Sequence, residues 1–387
     1  MRTLPSARRV LLFWLLVAGA GLLGGASPLA CRATSPRPHP EVSPSAGKAG
    51  VTHRSFKPTA ARNWRGASKQ QLDCTIWYPA SPEAHEAAQQ IGPPQHPLFL
   101  MGEAAPDAAF EPGGGQRPLI LLSHGTGGSA AQMAWLGTAL ARAGMIAVAV
   151  DHPGNNASDH YTPEGFLLWW ERATDLSEVL DGMLADTEFA PHIDRKLIGA
   201  AGFSLGGYTV LELAGAQTDL SAMVEHCHEQ PQDTACRVPE MKDLPPGATL
   251  LQTVRKTSGE SLARSGDSFA DPRIRAVFAI APALGYTLTD DSLRQIRLPV
   301  EIVVGAADPI AGPAENADRL RALIHGARET VLPGGVAHYT FLDLCTETGK
   351  QELPVYCVDN PGVDRNAIHQ QVSLEAIGFF QKTLRWR

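Results

Sequence analysis

From residue 118 onward, short continuous apolar runs alternate with segments whose apolar positions recur every three or four residues. The runs at 118–123, 145–150, 197–203, 274–280, 300–304 and 329–332 are of strand length, while 130–143, 168–186, 205–214, 314–324 and 364–384 have helical spacing. A strand that is apolar at every position must be covered on both faces. The alternation therefore predicts an α/β fold with a mainly parallel central sheet and helices on both faces. Upstream, 71–78 reads as a strand stopped by Pro79, and the Pro-, Ala- and Gln-rich stretch 80–116 reads as a long connection. One polar, Pro- and Gly-rich segment, 217–272, interrupts the alternation where an insertion would overlie the sheet, and both a lid and a surface decoration stay open for it.

The N-terminus follows different rules. Arg2, Arg8 and Arg9 precede an apolar run at 10–23, too short to span a bilayer comfortably but of the length of a signal-peptide core. Residues 1–30 are therefore expected to be an export signal, with a periplasmic or secreted destination; Arg8-Arg9 leaves the export route open. Leu29-Ala30-Cys31 is one position short of a bacterial lipobox, which offers Cys31 as a membrane tether. Residues 31–58 lack a hydrophobic period and are expected to form a disordered tether, and 59–387 the folded domain carrying the 217–272 insertion.

The net charge is −7, and removing residues 1–30 takes three Arg and no acid, leaving 30 basic against 40 acidic side chains, or −10. No basic field is available for a phosphate backbone, so nucleic acid is not an expected partner. Six cysteines in an exported chain point to disulfides, and their closeness in sequence pairs Cys227 with Cys236 and Cys345 with Cys357. His226-Cys227-His228 with Cys236 lacks structural-zinc spacing, so no metal is expected there. Asn156-Ala157-Ser158 has the form of a glycosylation sequon.

Candidate chemistry concentrates where apolar runs end, because an open parallel sheet binds ligands at the carboxyl ends of its strands. The run at 197–203 leads through Gly202-Phe203-Ser204-Leu205-Gly206 into an apolar helix. That strand–turn–helix setting of Gly-x-Ser-x-Gly is a nucleophile elbow, with Ser204 as nucleophile and the Leu205 N–H aimed at a developing oxyanion. A serine nucleophile needs a base and a carboxylate to orient that base. Asp308 and His338 each follow a strand and come in the order Ser, Asp, His; Asp267, Asp271, Asp290, Asp291, His152, His325 and His369 are the competitors. Ser123-His124-Gly125-Thr126-Gly127-Gly128 ends the first run, and its Thr126 N–H is the candidate second oxyanion donor, with His124 holding the turn. Phe166, Trp169 and Trp170 are candidates to line an acyl pocket, with plain core as the alternative.

With these residues in place, the chain resembles the α/β-hydrolase superfamily and, more closely, bacterial predicted dienelactone hydrolases related to platelet-activating-factor acetylhydrolase. The resemblance is carried by 77–80 (Trp-Tyr-Pro-Ala), 118–128, Asp151-His152-Pro153-Gly154, 202–207, Asp308, His338 and 364–369, and covers roughly residue 60 to the C-terminus. It implies an α/β-hydrolase fold, a Ser204–His338–Asp308 triad, an oxyanion hole of Leu205 and Thr126, and a small-molecule ester as substrate; the triad chemistry itself calls for no cofactor. Dienelactone hydrolases carry a cysteine at the elbow where this chain has Ser204, which moves the expectation to carboxylic esters in general. The acetylhydrolase relationship implies short acyl chains. Amide or peptide hydrolysis on the same triad, and a catalytically silent binding protein on the same scaffold, are the alternatives.

Overall fold

The computed structural model describes residues 47–386, apart from 234 and 237–246. The expected signal peptide, Cys31 and residues 31–46 of the expected tether lie outside the described residues. In chain order the strands are β1 (Lys48–Phe56), β2 (Leu72–Ala80), β3 (Ala87–Ile91), β4 (Phe99–Pro106), β5 (Arg117–Ser123), β6 (Ile146–Val150), β7 (Ile193–Phe203), β8 (Ile274–Ile280), β9 (Val300–Gly305), β10 (Arg328–Leu332) and β11 (Leu344–Cys345). The helices are α1 (Ala134–Arg142), α2 (Pro163–Leu167), α3 (Glu171–Ala185), α4 (Leu205–Leu213), α5 (Leu220–Glu229), α6 (Gly247–Thr257), α7 (Gly259–Ala263), α8 (Asp290–Gln295), α9 (Ala317–Leu323), α10 (Glu347–Glu352), α11 (Pro354–Cys357) and α12 (Arg365–Thr383).

One sheet runs in the order β10-β9-β8-β7-β5-β6-β2-β1-β4-β11, with β3 paired to β4. The block from β10 to β6 is parallel throughout, and β2 joins it antiparallel to β6. The side-chain period of two explains the continuous apolar runs. Leu119 and Leu121 of β5 enter one core while Ile120 and Leu122 enter the other, and β6 divides Ile146, Val148 and Val150 from Ala147 and Ala149 in the same way. Helices α3, α4 and α9 close the first core; α1 and α12 close the second. The expected mainly parallel sheet with helices on both faces is the architecture observed.

Three expectations need correction. Residues 48–56 are not tether but β1, paired antiparallel along its whole length with β2. Its sequence hides this because burial is confined to the first half, from Ala49 to Thr52, so no apolar run forms and backbone pairing holds the rest. The 80–116 connection contains the β3–β4 hairpin, in which few side chains, Phe99, Ala104 and Ala105 among them, are buried. The single helix expected over 168–186 begins at Glu171, after the separate short helix α2.

The 217–272 segment carries α5, α6 and α7. Asp219 caps α5 by accepting from the N–H groups of Ser221 and Ala222, at 2.9 and 3.3 Å. The structure joins Cys227 to Cys236 and Cys345 to Cys357, the pairs expected from sequence, with Cα separations of 5.5 and 5.6 Å; Cys74 is a free, buried thiol in β2. Among the described residues, no helix is long and apolar enough to cross a membrane.

Candidate active site

Ser204 stands at the corner between β7 and α4 with φ 56° and ψ −119°, a left-handed region that side chains rarely occupy. The corner closes only because its flanks lack side chains: a Cβ on Gly202 would lie 2.1 Å from the Gly206 carbonyl oxygen. A Cβ on Gly206 would lie 1.9 Å from the carbonyl oxygen of Ser123, at the end of β5. The strain holds the Ser204 hydroxyl above the carboxyl end of the sheet.

There it meets residues brought from distant loops. Ser204 Oγ lies 2.8 Å from His338 Nε2, and His338 Nδ1 lies 2.8 Å from Asp308 Oδ2. In the tautomer this chain of bonds requires, Ser204 donates to Nε2 and the Nδ1–H donates to the carboxylate. The second oxygen of Asp308 accepts from the N–H groups of Ile310 and Ala311, at 2.9 and 2.8 Å, which fixes the plane of the carboxylate. Phe203 packs against the imidazole with ring centroids 4.9 Å apart. All three polar residues are buried. The competing acids are engaged elsewhere: Asp267 with Arg264, Asp271 with Arg273, and Asp290 and Asp291 with Arg294. His369 stacks on Trp135, and His152 bonds Ser123 and Asp175.

The turn after β5 is tightly held. His124 Nδ1–H donates to the Gly125 carbonyl at 2.6 Å, and His124 Nε2 accepts from the His152 N–H at 3.3 Å. Burial pushes His124 well below the usual imidazole range, and the neighbouring Arg172 adds to this, so the ring is a neutral brace. The N–H of Gly127 donates to Asn155 Oδ1 at 3.0 Å, and that of Gly128 to the Gly125 carbonyl at 3.2 Å. Asn156 Nδ2, the atom a glycan would need, is buried against the His152 carbonyl at 2.9 Å, so the sequon is closed in the folded protein.

Thr126, Leu205, Ser204 and His338 all face one cavity of about 840 Å³. Its walls are largely apolar: Phe166 and Trp169 line it together with Leu220, Met223 and Leu251 of the 217–272 segment, and the Cys227–Cys236 pair is at its edge. Trp170 instead points its Nε1–H at the Ser261 carbonyl, 3.1 Å away. Asp233 and Glu315 reach the cavity, and no Lys or Arg lines it among the described residues. The sequence reading missed Leu220 and Met223, whose signal was an amphipathic stretch inside a polar segment. It also missed a buried polar cluster behind the turn, built around Arg172 and Asp175 on the core-facing side of α3.

Comparison with known proteins matches this frame. Cutinase est2 of Thermobifida alba is 34% identical over 107 residues, which cover 27% of this chain and 32% of that protein. Cutinase cut1 of Thermobifida fusca is 32% identical over 107 residues, 27% of this chain and 30% of that protein. The chain thus spans about a third of the length of the curated relatives it matches. A solved structure of a ferulic acid esterase from Streptomyces cinnamoneus superposes with a TM-score of 0.59 at 19% identity, covering 88% of this chain and 92% of that one, which supports the fold. The family described as serine aminopeptidase S33 matches residues 114–345, more than half of the chain and the part that holds Ser204, Asp308 and His338. The chain therefore belongs to the S33 family of α/β-hydrolases.

Proposed function

We propose that this protein is an exported serine hydrolase of carboxylic esters, acting through Ser204, His338 and Asp308 and an acyl-enzyme. The observation that carries this reading is the continuous bond from Ser204 Oγ through His338 to Asp308, at a strained elbow that opens on an apolar cavity. The similarity to cutinases over 107 residues supports esters as the substrate class. The resemblance to dienelactone hydrolases and platelet-activating-factor acetylhydrolase is part of the same reading, and export agrees with the two disulfides.

Ser204 attacks the ester carbonyl while His338 Nε2 takes its proton, and Asp308 holds the imidazolium that forms. The backbone N–H groups of Leu205 and Thr126 receive the oxyanion. Collapse expels the alcohol, which takes the proton from His338, and water then releases the acid by the same route. No cofactor enters these steps. The resemblance implies short acyl chains, but a cavity of about 840 Å³ lies in the range that holds drug-sized ligands. With Asp233 and Glu315 in its wall and no Lys or Arg in its described lining, the cavity disfavours anionic substrates. A series of nitrophenyl esters from acetyl to decanoyl reads the chain length.

A second reading, amide hydrolysis with recognition of a substrate amine, draws on the serine aminopeptidase description of the family and on Asp233 and Glu315 in the cavity wall. Paired nitrophenyl ester and nitroanilide substrates of one acyl group separate the two. For the primary reading, a fluorophosphonate probe should label the wild type and not S204A, and ester turnover should disappear with it. Labelling or turnover that survives S204A refutes Ser204 as nucleophile.

A further inference from the structure

Behind the turn that carries Thr126 lies a set of buried polar side chains that the triad does not use. At its centre is Arg172, fully buried at the start of α3, with its planar guanidinium bonded on several sides. Nη2 donates to the His124 carbonyl and, at 3.4 Å, to Ser123 Oγ; Nη1 donates to Asn155 Oδ1 at 2.9 Å; Nε donates to Thr209 Oγ1 at 3.2 Å. Three of these acceptors, in His124, Asn155 and Thr209, lead to a backbone group beside a candidate oxyanion donor. His124 precedes Thr126 by two residues. Asn155 Oδ1 also accepts from the N–H of Gly127, the residue that follows Thr126. Thr209 Oγ1 donates to the carbonyl of Leu205 at 2.8 Å.

The rest of the cluster holds the guanidinium in place. Ser123 Oγ lies 2.9 Å from His152 Nε2, His152 Nδ1 lies 2.7 Å from Asp175 Oδ2, and Arg65 and Arg62 both pair with Asp175. Burial alone would raise Asp175, but Arg65 and Arg62 overcome it and keep the carboxylate ionised. Burial pushes Arg172 down to about 9, with Asp175 opposing, so it remains a cation at neutral pH. This accounts for Asp151-His152-Pro153-Gly154 and the residues after it: His152 and Asn155 connect the turn to α3.

We propose that Arg172 is a positioning residue of the oxyanion hole, fixing the Thr126 turn on β5 and the Leu205 peptide of α4 at one spacing through His124, Asn155 and Thr209. This rests on the serine-hydrolase reading above. A lysine cannot replace it, because an ammonium lacks the planar fork that satisfies acceptors in three directions. Moving an oxyanion donor off target lowers kcat and leaves ground-state binding nearly intact.

The test uses the full chain and nitrophenyl ester turnover, with fluorophosphonate end-point labelling to count competent sites. R172K, N155A and T209V should each lower kcat per labelled site by roughly ten- to a hundredfold, with KM within threefold and an unchanged inflection in the pH profile. N155D, which keeps the acceptor for Gly127 and Arg172, should recover part of what N155A loses. A merely structural role would instead reduce the labelled fraction and the melting temperature while kcat per site stays at the wild-type value. Should R172K fail to fold, T209V and N155A decide. A wild type that neither turns over ester nor labels overturns the hydrolase reading and this inference together. A reactive wild type whose T209V and N155A keep kcat per site within twofold overturns this inference alone.

Discussion

Replacing Gly206 by Ala probes the closest approach in the elbow. The new Cβ would lie 1.9 Å from the Ser123 carbonyl oxygen, 2.5 Å from its carbon and 2.8 Å from the His124 carbonyl oxygen. A carbon–oxygen contact needs about 3.3 Å, so α4 and the end of β5 must part by about 1.4 Å. Strand β5 cannot rotate away, because it is paired to β6 on one side and β7 on the other. In the proposed mechanism the parted elements are the ones that carry the two oxyanion donors, Leu205 at the start of α4 and Thr126 in the turn after β5. A misplacement of this size costs about 100-fold, and the loss of one oxyanion donor costs about 100- to 1,000-fold in kcat, or roughly 3–4 kcal/mol. Overpacking should cost about 1–3 kcal/mol of stability, less than the roughly 5–15 kcal/mol of a typical domain, so G206A should still fold. The neighbouring G207A is the control: its Cβ would meet Pro282 Cα at 3.0 Å, a contact relieved by a few tenths of an ångström, and kcat should stay within tenfold. Ester kinetics and thermal denaturation on both variants complete the assay. A folded G206A with kcat within threefold of wild type would refute the argument.

Three further outcomes follow from other contacts. In D308N the side-chain oxygen keeps the N–H groups of Ile310 and Ala311, which turns the amide NH₂ toward His338 Nδ1 and leaves Nε2 protonated. Turnover should fall by about 10³–10⁴ with stability little changed, as steady-state kinetics and melting curves will report. Glu212 is buried and pushed up to about 8, with Oε2 lacking a partner. From about pH 4.5 to 8 the unfolded chain releases this proton while the folded one retains it, so wild-type stability should decline relative to E212Q as pH rises, then level off. Urea titrations of both proteins at pH 5, 7 and 8.5 read this, and a pH-independent difference would contradict it. Removing the Cys345–Cys357 bond, which closes 12 residues, in a C345S/C357S variant should cost about 3 kcal/mol in a denaturant titration.

Which parts of the site were legible in sequence follows from how local their signals are. Gly202, Ser204 and Gly206 sit within five residues, and their glycines are required by contacts inside the turn or with the adjacent strand. Asp308 and His338 were legible by their place after apolar strands. Their distance from Ser204 was not, because it depends on the order β10-β9-β8-β7, which sets the strands preceding His338 and Asp308 on the same side of β7. Strand β1 escaped notice because pairing with β2, rather than an apolar run, holds it. Arg172 and Asp175 look on paper like exposed charges of a helix. Only the packing of α3 on the sheet buries them.

The sequence by itself determined the layered α/β class, through strands apolar on both faces, and the chemistry on offer, through residue types at strand ends. Tertiary structure alone decided three further things. It brought Ser204, His338 and Asp308 within hydrogen-bond reach across loops far apart in the chain. It placed α5 and α6 of the polar 217–272 segment in the wall of the cavity that Ser204 faces, a cavity whose size no local pattern encodes. It also turned Arg172 inward onto Asn155 and the His124 carbonyl, behind the turn that follows β5. Local sequence records which face of an element is apolar, whereas distances between elements emerge only when those faces are buried against one another.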